Sequence, residues 1–111
     1  MPEPRPGSVD LPPSGAAVVK AWAPWCTSCR ALAPVVDRVA DRTGVPVVSL
    51  RVDAAPDLVE RLGVRSVPTL LALHDGAEVG RLVGAQSADA VESLFAVARG
   101  ASGSLDRSKP P

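Results

Sequence analysis

The chain changes its hydrophobic period at a pair of cysteines, and that change constrains the fold more than any other feature. Ala16-Ala17-Val18-Val19, interrupted by Lys20 and resumed by Ala21-Trp22-Ala23, has the pattern of a buried strand with one polar intrusion. From Cys26 to Arg42, Leu32, Val35, Val36, Val39 and Ala40 recur at helical spacing, the stripe of an amphipathic helix that ends before Gly44. A strand that gives way to a helix within a few residues puts the turn between them at the carboxyl end of a sheet. Open α/β folds carry their chemistry at that edge. Pro34 falls inside the helix, where a kink is expected.

The remaining segments extend the alternation. Val45 to Asp53 is short and rich in valine, a second buried strand. Pro56 opens a short helix through Leu62, with Gly63 placed as its C-terminal cap. Val64 to Leu73 reads as a loop and a third strand, and Asp75-Gly76 as a hairpin turn into a fourth at about Glu78 to Val83. Val91, Leu94, Phe95 and Ala98 mark the inner face of a last helix, with Ser87 as its cap. The order βαβαββα predicts an α/β domain with a central mixed β-sheet flanked by helices. Its first three strands are expected to be parallel, and the hairpin to add an antiparallel edge.

Of 111 residues, 46% are hydrophobic, enough for one core and too few for two domains. Five prolines among the first 13 residues and the closing Pro110-Pro111 set the ends apart. The expected division is a proline-rich segment 1–15, a folded domain 16–99 and a mobile tail 100–111. Twelve bases balance 12 acids, and two Trp and one Phe are the only aromatics, which argues against a nucleic-acid partner. No apolar run approaches the ~20 residues of a membrane span. Met1-Pro2-Glu3-Pro4-Arg5-Pro6 lacks the layout of a signal peptide, so a cytoplasmic protein is expected.

The chemistry rests on Cys26-Thr27-Ser28-Cys29. At a helix start, unpaired N–H groups and the helix dipole stabilise an anion, which marks Cys26 as the nucleophile. Cys29 lies three residues on, where helical Cβ atoms are roughly 5 to 6 Å apart and a disulfide can close. It is expected to be the more buried of the two and to act as the resolving thiol. This arrangement supports thiol–disulfide exchange. A zinc site needs about four ligands, and the chain has these two cysteines and one histidine, His74, expected to be exposed at a strand end. No metal and no bound cofactor are therefore expected. A purely structural cysteine pair stays open as an alternative.

Trp22-Ala23-Pro24-Trp25-Cys26-Thr27-Ser28-Cys29-Arg30, Leu32-Ala33-Pro34, Val52-Asp53, Gly63 to Thr69, Asp75-Gly76 and Val83-Gly84 stand in one order over residues 16 to 99. On these motifs the chain resembles the thioredoxin family. The resemblance implies a thioredoxin fold with a shortened N-terminal strand and helix, Ser8 to Leu11 being all that is left for an edge strand. It implies a monomeric oxidoreductase of cell redox homeostasis that acts on disulfide-containing proteins or small disulfides. A separate reductase or thiol pool would recycle the Cys26/Cys29 pair. It further implies that Pro68 is cis and faces the dithiol, and that Trp25, Val67, Pro68, Gly84 and Ala85 form the substrate-binding rim. Trp22 is expected to serve core packing, and Asp53 a structural role near it.

The chain also departs from the family. Thr27-Ser28 replaces the usual Gly-Pro, and two hydroxyls able to donate to a thiolate are expected to make the pair more oxidising. Lys20 stands where the family carries a buried Asp, and Ser49 where it carries that Asp's lysine partner. Lys20, Thr27 and Ser28 are therefore the expected redox-tuning residues. Two other functions compete with exchange. One is a binding module that docks a partner through Pro68 and Trp25 with little turnover, and the other is a metal or iron–sulfur cluster shared by two chains through their cysteine pairs.

Overall fold

The computed structural model describes residues 11–100. Strand β1 (Ala16–Trp22) leads into helix α1 (Thr27–Thr43). Strand β2 (Val47–Arg51), helix α2 (Pro56–Leu62), strands β3 (Thr69–His74) and β4 (Ala77–Val83), and helix α3 (Ala88–Ala98) follow. The expected order is observed, with element ends shifted by one to three residues. Cys26 is the N-cap of α1 rather than its first residue, and Gly44 and Gly63 close α1 and α2 in the left-handed conformation. Ser87 caps α3 by accepting the Ala90 N–H at 3.1 Å. The proline-rich residues 1–10, Ser8 to Asp10 of the suggested edge strand, and the tail 101–111 lie outside the described residues. Leu11, the last residue of that suggested strand, is coil and leans on the core on the α2 side of the sheet.

The sheet runs β2-β1-β3-β4. β1 is parallel to β2, with Lys20 opposite Ser49, but antiparallel to β3, with Ala21 opposite Thr69. The expectation of three parallel strands is therefore wrong, and the length of α2 explains the error. A parallel crossover must carry the chain back along a whole strand, roughly 17 to 20 Å. The seven residues of α2 rise only about 10 Å. The connection thus begins and ends at the same sheet edge, and β3 starts beside the end of β1. That edge is where α1 begins.

Alternation along the strands divides the core in two. Val18, Leu70 and Ala72 face α1 and α3 together with Leu32, Val36, Val39, Leu94 and Phe95, all almost fully buried. Ala17, Val19, Ala21, Leu50, Leu71 and Leu73 face α2, with Leu58 and Val64 over them. Gly80 of β4 shows how closely α3 approaches the sheet, since a Cβ there would lie 3.0 Å from Leu94 Cδ1. Asp75 and Gly76 both have positive φ, 52° and 81°, as a two-residue turn between right-twisted strands requires. His74 is half-buried rather than exposed, its Nδ1 lying 2.8 Å from the Ala98 carbonyl. Among the described residues no helix is long and apolar enough to cross a membrane.

Candidate active site

β1 ends at Trp22, and the carbonyl of Ala23 accepts the Cys26 N–H at 3.1 Å, which fixes the start of α1 against the strand end. Cys26 then caps the helix through sulfur, its Sγ accepting the Cys29 N–H at 3.2 Å. Most N-caps use an oxygen for this purpose. Here the first-turn N–H group points at a sulfur, the atom on which negative charge develops when the thiol ionises. The two cysteines form a disulfide with a Cα–Cα separation of 5.3 Å. They are 8% and 6% exposed, so the expected difference in burial is nearly absent. Both lie in an apolar nest with Ala23, against which Trp22, Val52 and Val67 are packed.

The loop before β3 closes the other side. The Val67–Pro68 bond is cis, Pro68 is buried, and the Thr69 hydroxyl donates to the Ser66 carbonyl at 2.8 Å. Gly84, at φ 86°, donates its N–H to the Pro68 carbonyl at 2.8 Å and so ties the end of β4 to this loop. Among the described residues the Val67 N–H and carbonyl are engaged by no other backbone group. Trp25 is 66% exposed and Ala85 is exposed, both able to meet a partner.

The residues grouped by sequence divide into two faces. Val67 packs on the cluster of Ala23 and the dithiol, and Pro68 follows it in the chain with Gly84 bonded to its carbonyl. Lys20 lies elsewhere, in a cleft of about 220 Å³ that it lines with Trp22, Cys29, Arg30 and Ser49 and that none of the rim residues enters. Ser28 places its hydroxyl 3.6 Å from Cys26 Sγ. The Thr27 side chain, by contrast, is exposed and makes no hydrogen bond among the described residues. Trp22 packs on the core cluster of the dithiol and also lines the cleft. It is half-buried, and its indole N–H donates to Ser49 Oγ at 2.7 Å, so it forms a wall of the cleft. Asp53 takes two bonds from Arg51, at 2.8 and 3.0 Å, and the Arg51 guanidinium holds its carboxyl below the ordinary value of 3.8. Arg51 in turn lies opposite Trp22 in register.

Sequence reasoning gave no role to two residues of the site. Val52 packs on the dithiol, and its N–H donates to the Trp22 carbonyl at 2.9 Å. Arg30 reaches back to the Pro24 carbonyl at 2.7 Å and lines the cleft. The only signal for either was membership of a motif. Among the described residues no group of three or more His, Cys, Asp or Glu is placed to hold a metal ion.

Comparison with known proteins agrees with this geometry. The thioredoxin family model matches residues 10–96. Thioredoxin 1 of Synechococcus elongatus is 44% identical over 70 residues, which cover 61% of this chain and 65% of that protein. The thioredoxin of Porphyra purpurea is 37% identical over 88 residues, 78% of each chain. The chain thus spans about two thirds of the length of the first of these relatives and more than three quarters of the second. A mutant thioredoxin from Halobacterium salinarum superposes with a TM-score of 0.73 at 35% identity, covering 78% of this chain and 76% of that one. A reduced thioredoxin pre-protein from Schistosoma mansoni gives 0.70 at 28% identity, covering 75% and 78%. A CxxC pair at the end of β1, the cis proline loop facing it, a mixed sheet between helices and these matches lead to one statement: the chain belongs to the thioredoxin family.

Proposed function

We propose that the protein is a thiol–disulfide oxidoreductase in which Cys26 is the nucleophile and Cys29 the resolving thiol. The observation that carries this reading is the sulfur N-cap, Cys26 Sγ accepting the Cys29 N–H at 3.2 Å, which stabilises charge on the sulfur placed to attack. In the reduced protein the Cys26 thiolate attacks one sulfur of a substrate disulfide, and the other substrate sulfur leaves as a thiolate. Cys29 then loses its proton and attacks Cys26, the substrate sulfur departs with the electron pair, and the Cys26–Cys29 disulfide forms. Two electrons pass to the substrate, and no cofactor takes part. A separate reductase or a thiol pool returns them.

The substrate rim is Trp25, Val67, Pro68, Gly84 and Ala85. The unengaged backbone of Val67 suits an extended segment of a disulfide-containing protein laid down as an added strand. Small disulfides would need only the sulfur. Lys20, Thr27 and Ser28 are proposed to tune the pair, Ser28 most directly. The proposed setting is the cytoplasm and the proposed working form a monomer. Cys29→Ser protein, treated with oxidised glutathione or a disulfide-containing protein, is expected to accumulate a mixed disulfide on Cys26, read as a mass increase. Failure to trap any adduct would leave a binding module that docks partners at Trp25 and Pro68 as the better account.

A further inference from the structure

The cleft behind the dithiol has a charge arrangement that the exchange mechanism has not used. It reaches Cys29 and not Cys26. Among the described residues the charged groups that line it are Lys20 from β1 and Arg30 from α1; β2 contributes only the Ser49 hydroxyl, and no carboxylate lines it. Arg30 is anchored on the Pro24 carbonyl, and the Ser49 hydroxyl takes the Trp22 N–H. The Lys20 side chain has neither an ion pair nor a hydrogen bond among the described residues. Val52 and Val67, packed on the cluster that Cys29 forms with Ala23 and Cys26, carry no charge. The nearby Asp53 carboxylate is already occupied by Arg51.

This arrangement bears on one step. A buried thiol must lose its proton before it can resolve a mixed disulfide, and burial in apolar surroundings opposes that loss. Cys29 is 6% exposed among apolar neighbours, and the open cleft that reaches it gives its proton a route to solvent. Resting on the oxidoreductase reading above, we infer that Lys20 acts through this cleft as the cation that holds Cys29 as a thiolate for the resolving step. The proton passes from Cys29 to water in the cleft. The thiolate attacks Cys26, the Cys26–substrate bond breaks, and the substrate leaves as a thiolate that takes up a proton from solvent. Lys20 supplies charge and is neither consumed nor bonded. Trp22, fixed by Ser49, keeps one wall of the outlet open.

The test isolates Cys29 as the sole cysteine in Cys26→Ser protein and follows thiolate absorbance in the ultraviolet against pH. Lys20→Met in that background is expected to raise the midpoint of thiolate formation by about one unit, a tenfold weaker acid, the scale of one nearby opposite charge. Lys20→Arg should restore most of the shift, and added salt should narrow the gap between Lys20 and Met proteins because the cleft is open to solvent. A purely structural lysine would produce neither the arginine rescue nor the salt dependence. Lys20→Gln provides the same comparison should the Met protein fail to fold. Equal midpoints in the Lys20, Gln and Met proteins would overturn the inference. Trapping on Cys26 in Cys29→Ser protein is scored separately, so a titration that fails beside successful trapping indicts Lys20 alone.

Discussion

Removal of the Ser28 hydroxyl should make the dithiol more reducing, and the size of the change can be worked from the structure. Ser28 Oγ lies 3.6 Å from Cys26 Sγ in a partly buried position. As a donor to a thiolate it makes a bond of the charged class, worth about 1.5 to 3 kcal/mol. Sulfur is a diffuse acceptor, so the lower end applies. The same sulfur in the disulfide remains a weak acceptor, which returns part of that energy to the oxidised state. A difference of roughly 0.7 to 1.4 kcal/mol between the two states is then expected, and at 30 mV per 1.4 kcal/mol this is about 15 to 30 mV. The sign follows from which form loses the donor. Ser28→Ala destabilises the reduced protein, so its potential becomes more negative. Equilibration in glutathione buffers, with the two forms quantified by alkylation and mass, measures the change. Thr27→Ala is the control, because that hydroxyl is exposed and has no contact with sulfur; it should shift the potential by less than half as much. The parent protein should lie above the roughly −270 mV of thioredoxin. An unchanged or less negative potential in Ser28→Ala, or an equal shift in Thr27→Ala, would refute the argument.

Two further outcomes concern the frame around the site. Arg81 donates to the carbonyls of Leu62 and Gly63, at 2.6 and 3.0 Å, while its other edge grips Glu78, so it caps the C-terminus of α2 just before the loop that leads to Pro68. Arg81→Met should cost about 1 to 2 kcal/mol, seen as a lower urea midpoint at unchanged slope, with Arg81→Lys intermediate because it keeps the charge and loses the fork; a Met protein as stable as the parent would contradict this. Asp53 is held below its ordinary value of 3.8, chiefly by its hydrogen bond from Arg51, so its contribution to stability is present above that value and lost as pH falls through the lower folded-state value. The melting temperatures of parent and Asp53→Asn should therefore differ slightly near neutral pH and converge in acid, and a gap that widens on acidification would show the sign to be wrong.

What could be read from sequence was whatever depends on local period and on chain punctuation. The valine runs, the α1 stripe and the Gly44, Gly63 and Asp75-Gly76 signals located every element because each is decided within a few residues. The direction of β3 was not readable in that way. It turns on whether α2 is long enough to cross the sheet, a comparison of lengths rather than a pattern, and seven residues are too few. At the site, the CxxC spacing and strand-to-helix position were enough to find the dithiol. The division into a rim at Pro68 and a cleft at Lys20 was not, since it depends on which way alternate β1 side chains face. Trp22 shows the same limit. A tryptophan closing an apolar run reads as core, and only its register beside β2 reveals that its N–H is held by Ser49 at the mouth of a cleft.

Position and tuning are separate at this site. The dithiol is placed by main-chain bonds from three directions: the Ala23 carbonyl on the Cys26 N–H, the Cys29 N–H on Cys26 sulfur, and the Gly84 N–H on the Pro68 carbonyl that braces the facing loop. None of these requires a particular side chain at positions 20, 27, 28 or 49. The backbone can therefore hold the two sulfurs in one geometry while the side chains around them vary, Ser28 beside Cys26 Sγ and Lys20 in the cleft that reaches Cys29. A lysine at position 20 is tolerated on a central strand for the same reason. The cleft it lines is walled by elements whose positions are fixed without it, and Lys20 is only half-buried there. Lys20, Thr27, Ser28 and Ser49 fall on the part of the site that can change without moving the sulfurs, so substitutions there are expected to alter how readily each thiol ionises rather than whether the pair can form.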